Sequence, residues 1–407
     1  MRSIISKSFI LSGLVIMFTT ITSCEIDQVN DPNNPSLGSV TNNATKAQLQ
    51  VLVTGLEARH RGYLANAVQM FGSFGREVFA YFGSDQRFTE DWLGLKRTET
   101  YPDFFAAAGT YTTPFQAVKQ ANVLITAAEG SATLTDAEEK GYTGFAKTIK
   151  GFQMIWPLMQ QYQNGIRVDV ADPLNPGPIV EYNQALAAIR QVLEEGANDL
   201  KSAGTTFSFS LTTGFTGFNT PANMLKVNRA IAARVALYAG DWQGALAALQ
   251  ESFMDLDVTA ASSAKMNNGP KHVYGEAPDA NNPLFYPFDQ ATATILIAHP
   301  ALIEDAEPGD QRVVNKFARR VNNPVTYSTL RLSSGDLIVG EYQDKRWATN
   351  TTPFTFIRNE ELILIYAEAQ ARLNNPTEAA RAINIVRNTW GLPNYAGATD
   401  TDSLIEQ

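Results

Sequence analysis

The sequence contains one cysteine, Cys24, in 407 residues. That scarcity excludes internal disulfides and any metal site built on two thiolates. Histidine is nearly as rare: His60, His272 and His299 are far apart, and none lies in the His-Glu-x-x-His spacing that presents zinc from a helix. There is no Gly-x-Ser-x-Gly nucleophile elbow and no Gly-x-x-x-x-Gly-Lys loop to cradle phosphate. Basic residues are outnumbered, 32 Lys and Arg against 41 Asp and Glu, for a formal charge of -9. No basic stripe offers a footing for nucleic acid. Past residue 24 no apolar run is long enough to cross a bilayer. What remains, with 44% hydrophobic residues, is the composition of a globular protein.

The position of the lone cysteine is informative. Arg2 and Lys7 form a basic start, and Phe9 to Ile21 is mostly aliphatic. This is the layout of a secretory signal, too short to span a membrane comfortably. It ends in Ile21-Thr22-Ser23-Cys24, which resembles a bacterial lipoprotein box, with Ile21 where Leu is usual. The expectation is a signal peptide over 1–23 and acylation of Cys24 (palmitate among the chains), since one chain alone binds membranes only marginally. An ordinary secretory signal that happens to contain a cysteine is the alternative. Residues 24–44, rich in Asn, Asp, Pro and Ser, read as a tether, with Glu25 and Asp27 placing acidic charge beside the lipid site.

From residue 45 onward the apolar spacing is helical. Residues 45–83 predict two helices. Thr113-Pro114 predicts a helix start, with Thr as N-cap. Thr135 and Glu138 predict a capping box, and Pro157 a kink or break in the helix that follows. Leu186, Ile189, Leu193 and Leu200 mark the buried face of another helix, and Thr220-Pro221 opens the next. "RVALYAGDWQGALAALQ" predicts a helical hairpin about a Gly-Asp-Trp corner, with Ala233 and Leu237 facing Ala245 and Leu249 and Trp242 covering the turn. A second hairpin turns at Asn374-Asn375-Pro376, with Ala379, Ile383 and Val386 buried. Such pairs suggest tetratricopeptide-like hairpins, unrelated helical hairpins being the alternative. Between the two, about 254–356, Pro, Asn, Gly, Asp and Tyr dominate, and "TYSTLRLSSGDLIVGEY" predicts hairpin strands. The expected fold is mainly α, with a long loop-rich insertion containing short strands and carrying much of the binding face.

Cys24, "NDPNNPS", "ARVALYAGDWQGAL" and above all "RNEELILIYAEAQARLNNPTEAARAINIVRNTWG" resemble the SusD/RagB lipoproteins. The resemblance spans nearly the whole mature chain. It implies a helical domain over 45–407 at the outer-membrane surface. It further implies capture of oligosaccharides, or of peptides in some members, as the lid of a SusC-like TonB-dependent transporter, without a cofactor. The family normally continues with a further helix, whereas "TDTDSLIEQ" stops about one turn into it. The expectation is a naturally longer chain, or fraying over Gly391 to Gln407.

Family ligand residues vary, so candidates come from chemistry alone. Sugars need aromatic platforms beside hydrogen-bonding groups. Tyr81, Asp85, Arg87, Trp92 and Tyr101 offer that mixture in a segment expected to be a loop, and Tyr274, Asn281, Asn282, Phe285 and Tyr286 offer it in the insertion. Each aromatic has a plain alternative, pinning its loop to the core. Trp92, in a polar stretch, is the leading candidate. A protein-interaction scaffold is a second class of function, and a lipid-anchored glycoside hydrolase a third. The adjacent pairs Glu138-Glu139, Glu194-Glu195 and Glu360-Glu361 diverge on their helices and read as solvated faces rather than carboxylates converging across a cleft.

Overall fold

The computed structural model describes residues 38, 41–82, 107–172, 174–291, 294–331 and 337–407. Residues 41–407 form one compact unit, distinct from residues 1–40. Cys24, Asp85, Arg87, Trp92 and Tyr101 lie outside the described residues.

Helices α1 (Lys46–His60) and α2 (Leu64–Phe74) open the unit. Thr45 and Gln48 close a capping box at the start of α1, which buries Leu49, Val53 and Leu56. The predicted second helix stops early. The chain turns through Arg76, at φ +56°, into strand β1 (Val78–Phe82). Aromatic and β-branched residues suit a strand, and the antiparallel partner that selects it, β5 (Thr294–Ala298), lies more than two hundred residues away in the insertion.

Helix α3 (Ala107–Glu129) corrects a second expectation: it runs through Pro114 instead of beginning there. The missing N–H removes one backbone bond, and the Thr113 hydroxyl donates to the Gly109 carbonyl within the same turn. Packing of Ala117, Val118, Ala121 and Leu124 in the core outweighs that loss. Helix α4 (Asp136–Gln161) has the predicted Thr135–Glu138 box and is likewise not divided by Pro157, which is buried within it. Gly144 and Gly151 let α5 (Tyr182–Ser202) approach closely. A Cβ there would stand 2.7 Å from Leu200 Cγ and 2.5 Å from Leu193 Cδ2, respectively.

The two sequence hairpins are present. Thr220 caps α6 (Pro221–Tyr238), and Asp241 caps α7 (Trp242–Gln250) after a corner at Gly240, φ +69°. Helices α10 (Asn359–Arg372) and α11 (Pro376–Thr389) turn at Asn374, φ +61°. Successive helices α3 to α7 pack against their neighbours, and α10 lies on both α6 and α7. The architecture is mainly helical, in tetratricopeptide-like pairs, and most of the core lies between them.

Short elements fill the insertion: β4 (Lys271–His272), β5, α8 (Pro300–Glu304), α9 (Gln311–Lys316), β6 (Phe317–Arg319), β7 (Val325–Arg331), β8 (Leu337–Gly340), β9 (Tyr342–Asp344) and β10 (Phe354–Thr355). Strands β7 and β8 form the predicted antiparallel hairpin. Strands β1, β5, β9 and β6, in that order, make a four-stranded sheet that ties the insertion back to α2. Earlier, β2 (Ile166–Arg167) and β3 (Ile179–Val180) pair between α4 and α5. At the other end α12 (Thr401–Glu406) is capped by Asp400 and buries Leu404 against α10 and α11. The expected fraying meets a packed turn there, held further by Thr401 Oγ1 donating to the Ala371 carbonyl at 3.2 Å.

Candidate functional site

A cleft of about 870 Å³ opens where the helical scaffold meets the insertion. Helix α2 and the turn after it supply one wall, with Phe71 and Glu77; α4 and α6 supply Trp156 and Arg234. Helix α9 and the stretch from Arg346 to Phe356 supply a second wall. Arg358, the start of α10 and Trp390 complete the lining.

The aromatic content is high. Tyr63 stacks on Trp156 with centroids 4.5 Å apart and planes 15° apart, and Phe71 lies tilted 6.1 Å from the same indole. Elsewhere in the lining Trp347 and Phe354 form a tilted pair at 5.4 Å, and the Arg346 guanidinium stands 5.5 Å over the Trp347 ring. Phe71, Trp156, Trp347, Phe354 and Trp390 are all half-buried, so their faces contribute to the lining. The Nε1 groups of Trp156 and Trp347 are buried with no acceptor among the described residues.

The charges are mixed but weighted to one sign. The lining carries Arg234, Lys271, Arg312, Lys316, Arg346 and Arg358 against Glu77, Glu360 and Glu361. Arg234 is buried and makes two parallel bonds to Glu361, Nε to Oε1 at 2.5 Å and Nη2 to Oε2 at 2.7 Å. Burial opposes its charge, yet Glu361 holds its pKa above the ordinary arginine value. Glu360, read from sequence as solvated, is buried. Its Oε1 accepts from Trp390 Nε1 at 2.6 Å, and Arg358 pairs with Oε2 at 3.2 Å. Adjacency on a helix made these two carboxylates diverge, as expected, but both directions lead to partners inside the protein. Asp310 and Asp344 hold Arg312 and Arg346 from behind, and Glu77 also reaches Arg346.

Lys316 differs from its neighbours. No carboxylate among the described residues lies within 4.0 Å of its ammonium. Burial, followed by the nearby Arg358 and Arg346, pulls its pKa below the usual lysine value, against Glu360 and Glu77. The local chain explains this crowding. Strand β6 pairs with β9 so that Phe317 faces Asp344, and Lys345 N donates to the Lys316 carbonyl at 2.9 Å. That register sets Lys316 beside Arg346.

Behind Tyr63 the two distant histidines meet. His60 and His272 rings are 4.7 Å apart and edge-on, and His272 Nε2 lies 3.2 Å from the Tyr63 hydroxyl. Gln153 Nε2 lies 2.6 Å from His60 Nδ1 and donates to the His60 carbonyl at 2.7 Å. Burial lowers the His60 pKa to about 3 and that of His272 well below 6.5, so both rings are neutral near pH 7. Scattered in sequence, they form one buried cluster with Phe152 and Phe356.

The insertion residues singled out from sequence occupy the loop beside this core. Asn282 is buried: its side-chain amide donates to the Thr352 carbonyl at 2.7 Å, and its Oδ1 accepts from Leu284 N at 2.8 Å. Tyr286 packs on the core, its hydroxyl accepting from Gln69 at 3.4 Å. Tyr274 also packs there, under the Arg61 guanidinium at 5.5 Å, with burial raising its pKa. Phe285 is half-buried and Asn281 exposed. Tyr81 has its backbone in β1, opposite Ile295. Tyr274, Asn281, Asn282, Phe285 and Tyr286 do not line the cleft. The cleft residues Trp347, Phe354, Arg346 and Lys316 were missed, although "DKRWATNTTPFTF" interleaves basic and aromatic residues just before the family-like helix.

Comparison with known proteins follows the same line. The SusD family model matches residues 316–407, a span that includes one wall of the cleft. The chain has the fold of SusD superfamily proteins, and this segment matches the SusD family. A SusD superfamily protein from Bacteroides fragilis superposes with a TM-score of 0.65 at 13% identity, covering 88% of this chain and 83% of that one. The surface glycan-binding protein A from Bacteroides uniformis gives 0.61 at 15% identity, covering 88% and 84%. A SusD-like carbohydrate-binding protein from Bacteroides vulgatus gives 0.57 at 15%, covering 89% and 79%. No curated protein matches the sequence.

Proposed function

We propose that this SusD-type chain is a surface lipoprotein that captures oligosaccharides in the cleft and passes them to a TonB-dependent outer-membrane transporter. One observation carries the reading: on a SusD fold, half-buried aromatic faces and charged hydrogen-bonding groups line a single 870 Å³ cleft. A pyranose presents C–H faces to aromatic rings and hydroxyls to polar side chains, and this cleft supplies both. Support also comes from the similar proteins whose names state glycan or carbohydrate binding. Acylation at Cys24 would hold the domain at the membrane, with residues 24–44 as its tether. Tyr81, Asp85, Arg87, Trp92, Tyr101, Tyr274, Asn282, Phe285 and Tyr286 stay as proposed contacts for a ligand extending beyond the cleft.

The carboxylates of the cleft are each engaged by a cation or an indole N–H, an arrangement suited to holding a ligand more than to proton transfer. A glycan-array screen of the purified protein, followed by product analysis of each bound glycan, tests the reading. Binding without cleavage is the expected result. Cleavage would favour a hydrolase. Binding of peptides alone would assign the chain to peptide capture, and a β-barrel partner without any glycan binding would favour a scaffold.

A further inference from the structure

We propose that the cleft selects acidic oligosaccharides, with Lys316, Arg346 and Arg358 holding a carboxylate or sulfate group while Trp347 and Phe354 take a sugar ring. The inference deepens the capture reading and rests on it.

The argument begins with sign. In a chain of net charge -9, this cleft is lined by twice as many cations as carboxylates. All four arginines of the lining have an acidic partner, so their contribution to a ligand is partly offset. Lys316 has none within 4.0 Å among the described residues, and the β6–β9 register fixes it beside Arg346. Two further cations raise the cost of charging it, as its lowered pKa reflects. An anion bound there relieves that repulsion and gains charge-assisted hydrogen bonds.

Geometry then limits the anion's carrier. Arg346 lies over the Trp347 ring, so the cation wall and the aromatic wall are continuous. A ligand that meets the guanidinium with an acidic group therefore sets its next ring against Trp347 and Phe354, 5.4 Å apart. Guanidinium forks match the two oxygens of a carboxylate or sulfate, and flat aromatic faces match pyranose C–H faces. An acidic saccharide satisfies both walls at once.

Calorimetry on the purified full chain tests this with two matched pairs. One is an oligouronide and its methyl ester; the other is a sulfated oligosaccharide and its desulfated form. The acidic member of at least one pair should bind about tenfold more tightly at low salt, with the advantage shrinking as salt rises. The pair that shows it identifies the anion. Lys316→Met should abolish the preference and Lys316→Arg should retain most of it, each variant first checked for native circular dichroism. Should Lys316→Met fail that check, competition by free sulfate and acetate against the acidic ligand replaces it. No competition would then overturn the proposal. Equal affinity within both pairs would overturn the acidic specificity and leave the capture reading standing. Failure of every glycan to bind, or binding only of acidic peptides, would overturn both.

Discussion

Deleting the Glu361 carboxylate should cost far more stability than deleting the Arg234 guanidinium it binds. Arg234 is 7% exposed, and its contacts are Glu361, the Phe356 carbonyl at 3.3 Å and the Phe152 ring at 5.6 Å. Glu361→Leu leaves that guanidinium buried with one long hydrogen bond. Breaking a buried pair from one side costs roughly 3 to 5 kcal/mol. The Glu361 side chain is 31% exposed, so water reaches its side of the pair and the lower end applies, about 3 kcal/mol. Arg234→Met removes the buried charge and leaves a carboxylate that can be hydrated from the cleft, for a loss of about 1 to 2 kcal/mol. The double variant should lie near Arg234→Met alone, giving a coupling of about 3 kcal/mol. Urea unfolding of the four proteins at pH 7 measures the cycle. Additive single effects, or a loss under about 1 kcal/mol for Glu361→Leu, would refute the claim that this pair fastens α6 to α10 beneath the cleft.

Three further outcomes are expected. His60, held neutral by burial with a pKa of about 3 against 6.5 when unfolded, contributes stability that is fully present above pH 6.5 and lost as pH falls toward 3. At about 1.4 kcal/mol per pH unit this removes about 2 kcal/mol between pH 6.5 and 5, with His272 acting in the same direction. His60→Asn should flatten the slope of unfolding free energy with pH, and an unchanged slope would show that the ring does not titrate as described. Cys24→Ser should abolish acylation and move the protein from the membrane fraction to the soluble one; unchanged detergent partitioning would defeat the anchor. Trp92→Ala should weaken glycan binding more than tenfold, an aromatic platform being worth about 2 kcal/mol, and calorimetry showing equal affinity would remove it from the site.

The helices were legible because their signals are local. Thr135 with Glu138, and Thr220 with Pro221, cap the helices they were expected to cap. The corners at Gly240 and Asn374 carry the left-handed backbone that their residue types suggest. Errors arose where distant packing decides. Pro114 starts a helix in isolation but lies inside α3 once Val118 and Leu124 are buried, and "VFAYF" became a strand because residues 294–298 pair with it. The cleft was illegible for the same reason. Its walls come from α2, α4, α6, α9 and the 346–358 stretch, so no sequence window contains it. Glu360 illustrates the difficulty: a charged residue beside another on a helix gives no hint of Trp390, thirty residues on, as its donor. His60 and His272, 4.7 Å apart in space, offered no spacing by which to be paired.

The central claim is that the cleft between scaffold and insertion holds the ligand. Hydrogen exchange of the purified protein, with and without a saturating oligosaccharide from the array screen, tests it most directly. The account predicts added protection in residues 345–358 and 64–77, the two walls that carry Trp347, Phe354 and Phe71. Protection confined to segments that do not line the cleft would contradict it.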